Sequence, residues 1–152
     1  MNKANTINKK RIFDLLSGLI LCLCISSCGE TDDLDQIKNK INRLQTAVEE
    51  EKPEDFIDIL DKGFLGNEHL TKVLIKKYLI LNLIRHSNIE VRISHTDIVI
   101  NKSDPSLASV TIKVLLTGGK GLVPEQGRLM EIKSQWVKYN NEWMVKIAHW
   151  DR

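Results

Sequence analysis

Hydrophobic side chains along this chain recur with two different periods, and the change falls near Asn88. Before it, Leu34, Ile37, Ile41, Leu44 and Val48 follow three- and four-residue steps, which sets them on one face of an amphipathic helix. Thr31 or Asp32 can cap that helix, and Glu49-Glu50-Glu51 reads as its solvated end. Pro53 suits the first turn of a second helix that turns Phe56, Ile59 and Leu60 inward and stops at Gly63. Phe64-Leu65-Gly66 is then a short link or a stub of strand. Asn67 can cap a third helix reaching about His86, and its stretch VLIKKYLILNLI is apolar nearly all round, which predicts burial on several sides.

Beyond Asn88 the period is two. Ile89, Val91 and Ile93 alternate, then Ile98 and Ile100 alternate in the opposite register, so a bulge is expected near Ser94 to Thr96. Ser103-Asp104-Pro105-Ser106 reads as a turn, and Ala108, Val110, Ile112, Val114 and Leu116 mark a strand. Gly118 to Gly127 reads as a glycine-rich loop. Met130, Ile132 and Trp136 mark the next strand; Asn140-Asn141 is a tight hairpin; Trp143, Val145, Ile147 and His149 mark the last. The plan is α+β: three N-terminal helices packed on a curved antiparallel sheet of four main strands, over residues 34–152.

This order, closing on SQWVKYNNEWMVKIAHW with Trp136 before the hairpin and Trp143 after it, resembles the nuclear transport factor 2-like (SnoaL-like) superfamily. The stretch TGGKGLVPEQG is similar to uncharacterised lipoprotein members of the same superfamily. The resemblance implies a cone-shaped, cystatin-like sheet with helices on its concave side and a pocket between them. It also implies isomerase, dehydratase or cyclase chemistry in some members and binding without chemistry in others, so the fold does not decide the function.

The first 33 residues change the picture. Met1 to Arg11 is polar and basic, and the apolar run LLSGLILCLCI that follows is eleven residues long, the size of a signal-peptide core and short of a membrane span. Next comes Ile25-Ser26-Ser27-Cys28, which resembles the lipobox of bacterial lipoproteins. It implies removal of residues 1–27 and acylation of Cys28, with residues 28–33 as a short acidic linker. The expected address is the bacterial cell envelope, with the outer membrane facing the periplasm preferred. Cys22, Cys24 and Cys28 lack the second ligand group a structural zinc site needs, and no cysteine follows them to form a disulfide in the mature chain. Cleavage would take Lys3, Lys9, Lys10 and Arg11 from the 22 basic side chains and Asp14 from the 20 acidic ones, leaving 18 against 19. A near-neutral chain of this kind has no electrostatic case for nucleic acid.

Candidate chemistry is sparse. His95-x-Asp97 and His149-x-Asp151 are spaced to put each pair on one strand face, where His95, Asp97 and His149 could serve as acid and base. Tyr78, Trp136, Trp143 and His149 are candidates for lining a pocket, and Leu122 and Val123 for a flap over it. GGKG lacks the spacing and the following helix of a phosphate loop. No cofactor is implied. Met144, Ala148 and Trp150 alternate with the inward set on the last strand, which predicts an apolar outer face and pairing of two copies through their sheets. The function expected is a tethered module that binds a small apolar ligand or an envelope protein; the other reading is acid/base catalysis in the cone.

Overall fold

A computed structural model describes residues 28–67, 69–86, 88–118 and 125–151. Residues 1–27, with the signal core and Ile25-Ser26-Ser27, and the flap residues Leu122 and Val123 lie outside it. Helix α1 spans Cys28–Glu49 and so takes in the acidic stretch read as a linker. Residues Leu34–Arg152 form one compact unit, described here.

In that unit α1 is followed by helix α2 (Pro53–Asp58), strand β1 (Leu60–Gly66), strand β2 (Leu70–Thr71) and helix α3 (Lys72–Arg85). Strands β3 (Glu90–Ile100), β4 (Leu107–Gly118), β5 (Glu125–Tyr139) and β6 (Glu142–Trp150) complete it. The sheet has six strands in the order β2-β1-β6-β5-β4-β3, not four. It is mixed rather than antiparallel, because β1 runs parallel to β6, with Leu65 beside Ile147 and Gly66 beside Ala148. The second helix ends at Asp58, before the expected Gly63, and Leu60 to Gly66 runs beside β6, paired with it at Leu60, Leu65 and Gly66 across an irregular stretch.

The core lies between the helices and one face of the sheet, called here the inner face. Ile37 and Ile41 of α1, Ile57 of α2, and Ile75 of α3 pack against Val110, Trp136, Trp143 and Val145. The predicted bulge is present: the β3/β4 register shifts between Ile93 and His95. Asn140 and Asn141 both adopt positive φ, 47° and 67°, which a two-residue hairpin requires and asparagine tolerates.

A second bulge was not foreseen. On β6, Ile147 pairs with Gln135 and Val145 with Trp136, so Lys146 is an extra residue without a partner on β5. Every side chain after it changes face. Ala148 and Trp150 join Trp143 and Val145 on the inner face, while Ile147 and His149 turn outward. The expected apolar outer set thus loses two of its three members. Lys146 reaches the buried carboxylate of Asp61 at 2.8 Å, and the Gly63 N–H donates to the same oxygen at 2.8 Å.

Helix α3 also departs from expectation. It is capped by Thr71, whose hydroxyl accepts from the Leu74 N–H, and not by Asn67. Only Ile75 and Leu83 are buried in it. Val73, Tyr78 and Ile84 are 64%, 52% and 74% exposed, so the helix roofs one end of the sheet instead of running through the centre.

Candidate functional site

Under α3 the inner face is not filled. Leu70, Leu79, Ile89, Leu116, Met130 and Trp150 line an apolar cavity of about 610 Å³, the size class that takes one small organic molecule. Its roof is α3 and its floor is the ends of β4, β5 and β6. The floor follows from strand pairing, since Met130 stands opposite Val114 and Arg128 opposite Leu116 on the same inner face. Trp150 forms a side wall because Gly66 lets it come close: a Cβ there would lie 2.8 Å from the indole Cη2. Asn67, at φ 42°, fixes the backbone of that tryptophan. Its side-chain oxygen accepts from the Trp150 N–H at 3.0 Å and its amide donates to the Trp150 carbonyl at 3.2 Å.

The polar groups at the cavity are Tyr78, Asn82, His86, Thr117 and Arg128. Asn82 is partly committed, donating to the Tyr78 carbonyl one turn back at 2.7 Å. No Asp or Glu is among the described residues that line the cavity. A second, shallower groove of about 510 Å³ runs between α1 and the edge strand β3, lined by Lys38, Gln45, Thr96 and apolar neighbours. Its upper end is tied shut: Gln45 donates to the Val91 carbonyl at 2.8 Å and Glu49 accepts from the Val91 N–H at 2.9 Å.

The structure separates the residues singled out in the sequence. Tyr78 lines the cavity. Trp136 and Trp143 are buried in the core beside it, the former donating its indole N–H to Ser134 at 2.9 Å. His149 is exposed on the outer face next to Lys133, the Lys146 bulge having reversed its direction. His95 and Asp97 are exposed on the same outer face, opposite Lys113 and Thr111. There they border Glu131, which a hydrogen bond from Lys133 at 3.0 Å holds below the usual carboxylate range. Neither His-x-Asp pair enters the cavity. Arg128 and His86 line it, both exposed at its rim, and the sequence reading missed both. Arg128 was legible in principle, since it shares parity with Met130 and Ile132.

The whole arrangement matches solved structures. The chain superposes on a putative scytalone dehydratase from Novosphingobium aromaticivorans with a TM-score of 0.67 and 16% identity, covering 79% of this chain and 83% of that one. A nuclear transport factor 2-like protein of unknown function from Pseudomonas putida gives 0.66 and 16%, over 80% and 87% of the two chains. The fold is nuclear transport factor 2-like. A nuclear transport factor 2-like superfamily protein from Salmonella enterica agrees, with a TM-score of 0.64 at 14% identity over 77% of this chain and 88% of its own. No protein-family model matches the sequence, and no curated protein is detectably similar to it.

Proposed function

We propose that this protein is a non-catalytic binding module of the bacterial cell envelope, tethered by an acylated Cys28, whose cavity takes up a small apolar molecule. The observation that supports this reading is the make-up of the cavity: apolar walls, and no carboxylate among the described lining residues. Proton transfer within the cone, as the dehydratase names of some similar structures suggest, needs titratable groups within ~3 Å of the reacting atom. Of the residues singled out for that chemistry, His95, Asp97 and His149 stand outside the cavity in water; Tyr78 and His86 do line it, with no carboxylate among the described lining residues to pair with them. A concave site of this size also suits a small molecule better than a partner protein.

Met130→Trp tests the cavity. The larger side chain should abolish uptake of the neutral fluorophore N-phenyl-1-naphthylamine while the thermal transition stays within a few degrees. The double variant His95→Ala/His149→Ala should bind the fluorophore as the parent does. Uptake that survives Met130→Trp would sink the proposal. For the tether, intact mass of protein extracted from membranes should show a chain beginning at an acylated Cys28.

A further inference from the structure

The hydrogen-bonding groups around the cavity are unbalanced in a way that selects a ligand. On the floor, Arg128 projects from the inner face of β5, opposite Leu116 and close to where β4 ends at Gly118. Its guanidinium is cationic and carries five N–H donors in a planar fork. On the roof, His86 follows the last turn of α3 and adds an imidazole, and Tyr78 adds a hydroxyl. Among the described residues, no ion pair engages Arg128 or His86, whereas Lys76 is held by Glu54 at 2.6 Å and Lys146 by Asp61 at 2.8 Å. The cavity mouth is therefore rich in donors and holds a cation with no counter-charge among the described residues, while the walls behind it are aliphatic and aromatic.

A ligand that fills this space brings an apolar body against Leu79, Met130 and Trp150 and leaves one end beside Arg128. A neutral end leaves the guanidinium with only water. A cationic end meets an uncompensated like charge. A carboxylate meets the fork in two parallel N–H···O bonds, the geometry for which arginine is pre-organised. We infer that the cavity binds an amphipathic carboxylate, with its apolar body under α3 and its carboxylate on Arg128, assisted by His86. This assignment rests on the binding reading of the cavity and names the ligand class within it.

Three water-soluble probes of one skeleton test it on the purified full chain by isothermal titration calorimetry: 4-phenylbutyrate, 4-phenylbutan-1-ol and 4-phenylbutylamine. The carboxylate should bind about tenfold more tightly than the alcohol, the scale of one charge-assisted contact at an exposed mouth, and the amine should bind most weakly. Arg128→Gln should reduce the carboxylate to the affinity of the alcohol and leave the alcohol unchanged, which also shows that the variant is folded. Arg128→Lys keeps the charge but loses the fork, and should fall between the two. Equal binding of acid and alcohol to the parent, or a preference that persists in Arg128→Gln, overturns the carboxylate assignment and leaves an apolar binding cavity. Failure of all three probes to bind overturns both readings.

Discussion

At the scale of single residues, two polar side chains hold the sheet where its backbone ladder is irregular. Asp61 is one. Burial raises its pKa, but the hydrogen bonds from Lys146 and the Gly63 N–H, with the attraction of Lys146, outweigh this and leave it below the usual carboxylate value. A group whose pKa is depressed by folding stabilises the folded state above the unfolded pKa, and that stability disappears as the pH falls through the folded pKa. Asp61→Asn should thus cost about 1–2 kcal/mol at pH 7 in denaturant unfolding, and the gap from the parent should close below pH ~4. Because Lys146 is itself partly exposed to water, the cost should stay below that of breaking a fully buried pair. The other residue is Asn67, which bonds to both backbone groups of Trp150. One asparagine far away in sequence thus holds the end of β6. Neither pairing has a local signature, so neither was legible.

Elements were legible where local pattern and tertiary structure agree. The β3 bulge was readable because its apolar parity flips between Ile93 and Ile98. The β6 bulge was not, because Trp143, Val145, Ile147 and His149 fit an unbroken alternation that is half wrong. β1 contains Asp61, Lys62 and Gly63, poor strand formers that fall in the irregular stretch between the paired Leu60 and Leu65. In α3 the apolar run signalled a helix correctly, yet nothing in it says that one flank stays uncovered. The outer sheet face still holds apolar groups, Leu115 opposite Leu129 and a row of Leu107, Val137 and Met144 that are neighbours across β4, β5 and β6. We propose that two copies pair across this row and not across α3. In sedimentation at about 100 μM the parent should run as a dimer, Val137→Glu as a monomer and Ile84→Ser as a dimer. A monomeric parent, or a dimer lost only with Ile84→Ser, would refute the sheet-mediated pairing.

For the whole molecule, the fold class and the helix-then-sheet plan could be read from the sequence, while the binding groups depended on a sheet order that no local pattern encodes. That order places β6 between β1 and β5, and β1 has no other long neighbour. The hydrogen bond from the Val145 N–H to the Ile59 carbonyl and the contact of Trp150 with Gly66 join segments more than eighty residues apart. Ending the chain after Tyr139 should therefore abolish cooperative unfolding altogether, rather than yield a weaker version of the same domain; a cooperative thermal transition in that truncated chain would contradict this. Time is the less obvious consequence. Contacts this distant form slowly and cannot form at all until the final strand is available. Until β6 joins, β1 lacks its long neighbour and β5 keeps an open edge, so the partly assembled chain remains an unclosed sheet.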